Sequence, residues 1–116
     1  MAPSSKLRVQ TSALQRLIKE EASYHKELEQ QEGRISKLEA NPSEDNAEYL
    51  LKQERQALEE TKKVIPTVRE KIVQTLQQVE EELENNKAEG GVASTEDVTK
   101  AKEAVAAGKK ALGQSA

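Results

Sequence analysis

The chain has 116 residues, of which 34% are hydrophobic, 34% charged and only 2% aromatic, so a compact two-layer core is hard to build from it. Net charge is −3, no dense Lys/Arg cluster with interleaved aromatics argues for nucleic acid, and the absence of Cys excludes disulfides and thiol chemistry. No stretch approaches the roughly 20 apolar residues of a membrane span, and Met1 to Arg8 lacks the apolar region of a secretory signal.

Residues 1–10 are polar with a basic tint from Lys6 and Arg8 and read as a flexible N-terminus, with Leu7 and Val9 free to lie against the end of a bundle. A first helix is expected over 11–40. Ser12 followed by Gln15 has the form of a capping box, in which hydroxyl and amide satisfy free backbone N–H groups reciprocally. Leu14, Leu17, Glu21, Tyr24, Leu28, Gln31, Ile35 and Leu38 alternate steps of three and four residues, forming one narrow seam. Such a helix needs a partner to cover the seam. Glu21 and Gln31 interrupt the stripe and read as residues that set register, although Glu21 has the option of leaning outward. Tyr24 reads as core with its hydroxyl at the rim. Gly33 lies off the seam, and Asn41-Pro42 stops the helix because Pro disfavours the α conformation in the preceding residue.

A second helix is expected over 45–85, introduced by cap candidates among Ser43, Glu44, Asp45 and Asn46. Leu51, Leu58, Ile65, Ile72 and Val79 recur every seven residues, with Val68, Leu76 and Leu83 widening the stripe. Pro66 removes one backbone hydrogen bond and crowds the Lys62 carbonyl, so a bend without a break is expected there. Gly90-Gly91 marks a polar hinge. A third helix is expected over 95–112, with Ser94 or Thr95 at its start, Glu96 and Asp97 in its first turn and Lys109 and Lys110 in its last. Its seam runs through Val98, Ala101, Val105 and Leu112. Ala101, Ala104, Ala106 and Ala107 permit close packing, and Gly108 falls where an apolar side chain is wanted. Residues 113–116 read as a flexible tail. The short connections imply antiparallel neighbours, giving an all-α fold: a slender, antiparallel three-helix bundle forming a single domain over 11–112, bent at Pro66.

Catalytic material is scarce. His25 is the only histidine, with Glu21 one turn before it, and neither a metal site nor a phosphate loop is expected. Glu80, Glu81, Glu82 and Glu84 sit against the dipole at the end of the second helix, either as a solvated face partly offset by Lys87, Lys100 and Lys102 or as an acidic end for a basic partner. Glu59 and Lys63 have the spacing of a favourable helical pair. Tyr49 reads as a candidate contact residue.

Three strings extend this reading. RLIKEEASYHKELEQQE from Arg16 to Glu32, KQERQALEETKKVIP from Lys52 to Pro66 with VREKI following, and TEDVTKAKEAV from Thr95 to Val105 together resemble the tubulin-binding cofactor A family. The resemblance covers about residues 6 to 112. Members of that family often carry a Tyr-Asp pair just before the second helix. Here the stretch is Ala47-Glu48-Tyr49-Leu50-Leu51, with the Tyr one place later.

The resemblance implies a coiled-coil-like (spectrin-like) three-helix bundle. It implies a cytoplasmic, cytoskeleton-associated, nucleotide-independent chaperone that captures β-tubulin after chaperonin release and passes it toward α/β-tubulin heterodimer assembly. No catalysis, cofactor, nucleic acid or membrane is implied. The other tubulin-folding cofactors are further candidate partners, and the chain is expected as a monomer or a homodimer. The family-matching outward residues Arg16, Lys19, Glu20, Glu59, Lys62 and Lys63 are the candidate partner-binding set, with Pro66 setting shape. The alternatives are a structural coiled-coil scaffold and a helical-hairpin chaperone of prefoldin type. The breaks at Pro42 and Gly90-Gly91, which invite folding within the chain, count against the first, and the lack of a β-rich segment counts against the second.

Overall fold

A computed structural model describes residues 6–41 and 45–113. It contains three helices, α1 (Lys6–Ala40), α2 (Ala47–Ala88) and α3 (Thr95–Ala111), and no strand among the described residues. The fold is an all-α, antiparallel three-helix bundle.

α1 begins at Lys6, ahead of the expected start at residue 11, so residues 6–10 are helical rather than a flexible lead. Ser12 is therefore an exposed mid-helix residue and no cap. The cause is Leu7: it lies one heptad before Leu14 and is buried, so the seam starts a turn and a half before the capping signal. Val9 stays exposed. At the other end Asn41 N–H donates to the carbonyls of Lys37 and Leu38 (3.2 and 3.3 Å), a shared bond that closes the last turn. Pro42 and the cap candidates Ser43 and Glu44 lie outside the described residues, as do residues 1–5 and 114–116.

α2 begins two residues later than expected because Asn46 is left-handed (φ 64°), a conformation the short Asn side chain tolerates and a helix does not. The Asn46 carbonyl still accepts the first helical bond, from Leu50 N–H at 2.9 Å. α2 then runs unbroken through the exposed Pro66 to Ala88. Its end is built around Gly90 (φ 86°): Gly90 N–H donates to Lys87 O and Gly91 N–H to Asn86 O, the paired pattern of a Schellman motif. Asn86 Oδ1 also accepts from Ala93 N–H at 2.7 Å. The two glycines thus make a defined cap where the composition suggested a hinge. α3 starts as expected, with Ser94 as N-cap accepting from Asp97 N–H at 3.1 Å.

The contacts divide the chain into two compact units, residues 1–20 with 69–116, and residues 21–68. In the first, α3 lies along the early part of α1 and the late part of α2. Leu14, Ile72 and Val79 are completely buried, and Leu7, Leu76, Ala101 and Ala104 nearly so. α3 contributes small residues to this core, as its alanines suggested for Ala101 and Ala104; Ala106 and Ala107 face solvent. Gly108 is buried, because the seam position it occupies is already filled by the tips of Leu76, Leu14 and Ile18.

Polar contacts fix both ends of α3 within this unit. Arg8 pairs with Asp97 (3.3 Å) near the two helix starts, beside a polar cleft of about 370 Å³ that Thr11, Gln15 and Lys100 also line. At the other end, Arg69 donates from Nη1 to Ala111 O (3.0 Å) and from Nη2 to Leu112 O (3.1 Å). One guanidinium thereby satisfies two terminal carbonyls and sets a cation at the negative end of the helix dipole. Arg69→Met keeps the apolar stem and removes the fork. It should cost about 1–2 kcal/mol, read as a lower urea midpoint with loss of helicity in α3.

In the second unit the two helices form an antiparallel hairpin. Arg34 pairs with Glu54 and Arg55 with Glu39, each at 2.9 Å, across exposed flanks. Among the described residues no third helix covers this seam. Tyr24, Leu28, Ile35, Leu38, Leu51, Leu58 and Ile65 are all only half-buried. The buried positions are instead Glu21, Gln31, Ala47, Thr61 and Val68.

Candidate functional site

The residues expected to meet a partner all lie on outer helical surface. Arg16, Lys19 and Glu20 are exposed on α1 in the first unit. Glu59, Lys62, Lys63 and Pro66 are exposed on α2 in the hairpin unit. Glu59 pairs with Lys62 at 3.7 Å, one position short of the Lys63 that spacing favoured. Both ends of that pair are solvated, so it contributes little to stability and leaves the surface available.

Tyr49 stands near the start of α2 with most of its surface exposed. Its hydroxyl accepts from Gln53 Nε2 at 2.8 Å, which holds the ring in one orientation. Leu51, Lys52 and Arg55 line a shallow notch beside it. In a chain with two aromatic residues, one is therefore displayed, and a held, exposed Tyr is a common anchor in protein interfaces. The other, Tyr24, sits half-buried on the seam as expected.

Glu21 does not lean outward. It is buried, and its Oε2 lies 3.7 Å from Nε2 of the exposed His25. Gln31 is also buried, and its Oε1 has no hydrogen-bond partner among the described residues. Both therefore interrupt the apolar seam from inside. No group of three His, Cys, Asp or Glu side chains able to hold a metal occurs among the described residues. No described helix is long and apolar enough to cross a membrane.

The acidic run at the end of α2 is neutralised differently from the expected pattern. Lys109 reaches Glu80 at 3.4 Å, whereas Lys100 is taken by Glu96 on its own helix at 3.1 Å. Arg69, the most consequential polar residue of the first unit, was invisible to sequence reading because the carbonyls it serves lie 42 and 43 residues away.

This arrangement offers extended helical surface, charged and with apolar flanks, and fits binding along a protein partner. The family model for tubulin binding cofactor A matches residues 2–105. The chain belongs to the tubulin binding cofactor A family. It is 36% identical to the tubulin-specific chaperone A of Saccharomyces cerevisiae over 97% of both chains. Against the tubulin-specific chaperone A of Homo sapiens it is 32% identical over 70% of this chain and 72% of the relative. The Mus musculus protein of the same name is 31% identical over the same shares. No solved structure matches the chain significantly. The family match spans all of α1 and α2 and most of α3.

Proposed function

We propose that this chain is a tubulin-folding cofactor. It captures β-tubulin after release from the chaperonin and passes it toward assembly of the α/β-tubulin heterodimer, in the cytoplasm and in association with the cytoskeleton. The observation that carries this reading is identity of 36% to the yeast tubulin-specific chaperone A over 97% of each chain. The work done is non-covalent and not enzymatic: a folded client subunit with an unfinished interface is covered by many small contacts from helix side chains. Arg16, Lys19, Glu20, Glu59, Lys62 and Lys63 are proposed to supply polar contacts, and their exposure is compatible with that role.

The test is co-migration of the purified chain with labelled β-tubulin released from chaperonin, on native gels or by size exclusion, with α-tubulin as control. A complex with β-tubulin only is expected. An intact, helical chain that leaves β-tubulin unshifted would overturn the reading.

Pro66 enters through the local path of α2. Pro66→Ala restores the N–H that the Lys62 carbonyl lacks and should raise stability by about 1–2 kcal/mol. If the Pro-imposed geometry serves capture, the same variant should hold β-tubulin more weakly. Greater stability with undiminished capture would remove Pro66 from the mechanism.

A further inference from the structure

The hairpin unit has an incomplete core, and one flank of it is apolar. On α2, Leu50, Ala57 and Val64 are spaced by seven residues, which places them in one stripe along the helix. Leu50 and Val64 are each 36% exposed and Ala57 is half-buried. The stripe lies next to the seam row of Ala47, Glu54, Thr61 and Val68, since each stripe residue is three or four positions from two of these. On the other side of that row Leu51, Leu58 and Ile65 are half-buried, so partly uncovered apolar side chains flank the row on both sides. In the first unit α3 covers the two long helices, and Leu14, Ile72 and Val79 lose all exposure. Among the described residues no third helix plays that part for residues 21–68.

The charge around the stripe selects its occupant. Every residue three or four positions from the stripe on α2 is apolar, neutral or acidic, the acids being Glu54 and Glu60. Lys52, Arg55, Lys62 and Lys63 fall on other faces of the helix. Glu54 is engaged by Arg34 of α1 at 2.9 Å, which leaves the exposed Glu60 as the acid on this border of α2. Residues 21–68 contain eleven acidic and seven basic side chains, a net charge of −4 within a chain of −3. A second copy of this unit would bring like charge against like charge. A helix with an apolar face bordered by Lys and Arg would meet complementary charge.

We propose that the Leu50–Ala57–Val64 stripe is a docking groove for a basic amphipathic helix presented by the captured client. The helix takes the third position beside the hairpin as α3 does in the other unit. This rests on the reading of the chain as a client-binding cofactor and assigns the recognition to one surface. The helix-in-groove mode requires anchors at i, i+3, i+4 and i+7 on the partner, matching the pitch of the stripe.

The test uses the full chain and fluorescein-labelled peptides of roughly 20 residues, long enough to run the length of the hairpin. One peptide has a Leu/Ala face flanked by Lys. A second has the same face flanked by Glu. A third is the Lys peptide scrambled to destroy the apolar face. Anisotropy should report binding of the first alone. Leu50→Gln with Val64→Gln should weaken it roughly tenfold, as loss of apolar anchors does. Glu60→Lys, which leaves the apolar stripe intact, should weaken the Lys peptide and strengthen the Glu peptide. Equal binding of the scrambled or Glu peptide, or an unchanged affinity in the double variant, would overturn the proposal. So would sedimentation showing a wild-type dimer that the double variant dissociates, which would give the groove to a second copy. Co-migration with β-tubulin, run on the same proteins, separates the two readings. Capture by wild type and double variant alike would sink the groove and leave the cofactor. Absence of capture by wild type would sink the cofactor reading, and the peptides would then judge the groove by themselves.

Discussion

Gly108→Leu should cost about 3 kcal/mol or more by overpacking and should detach α3 before the long helices unfold. A Cβ at residue 108 would stand 2.8 Å from Leu76 Cδ1, 3.6 Å from Leu14 Cδ1 and 3.8 Å from Ile18 Cδ1. The first distance is shorter than real Cβ contacts, so Leu76 must move. Leu76 is 5% exposed and Leu14 is not exposed at all, which leaves their tips little space to move into. Leucine adds three further carbons to that clash. Gly108→Ala is the informative control: it gains about 1 kcal/mol in helix propensity and requires only Leu76 to shift, so its net effect should be small. Urea midpoints of the two variants, with hydrogen exchange of the α3 amides, decide the matter. A Leu variant as stable as wild type would mean that α3 does not lie against Leu76 and Leu14 in solution.

Ile72→Ala should lower stability by about 3–4 kcal/mol, within the usual range for a fully buried aliphatic side chain cut to Ala. Ile72 has no exposed surface, and its loss leaves a cavity that close neighbours cannot fill without strain. Ile65 occupies the same seam one heptad earlier but is only half-buried. Ile65→Ala should cost less than half as much, because part of its surface already meets water and the space left can be wetted. The pair of variants, measured by urea unfolding, compares a covered seam with an open one at constant chemistry. Equal losses would contradict the division. Hydrogen exchange offers an independent view: amides of residues 21–40 and 47–60 should open at lower free energy than those around Ile72 and Val79.

The helix count and the identity of the seam were legible in the residues. Leu14, Leu28, Ile35, Leu51, Leu58, Ile72 and Val79 announce themselves by period. Ser94 followed by Glu96 and Asp97 announces the start of α3. The starts of α1 and α2 differ from expectation for opposite reasons. Ser12-Gln15 is a sound capping signal, but Leu7 packs, and packing an amphipathic face outweighs a local cap worth about 1 kcal/mol. Asn46 illustrates the reverse case. Its left-handed backbone shortens α2 at the start, and four polar cap candidates in a row gave no means of choosing among them. The candidate contact residues Arg16, Lys19, Glu20, Glu59, Lys62 and Lys63 were chosen from the family strings. Their exposure follows from their place off the seam, which periodicity alone already implied.

By itself, then, the sequence determined three helices, the stripe each one must bury and the family to which the chain belongs. These depend on neighbours within two turns or on strings read directly. Only the tertiary structure decided where a stripe is covered. Leu14 and Ile72 are sealed and Leu28 and Ile65 are not, although their periods are identical. It also decided that Gly108 is filled by Leu76, that Arg69 caps α3 and that Glu21 is buried. Burial is set by residues far apart in the chain that packing brings together. A helical period specifies which face seeks cover and carries no information about whether a third helix is there to provide it.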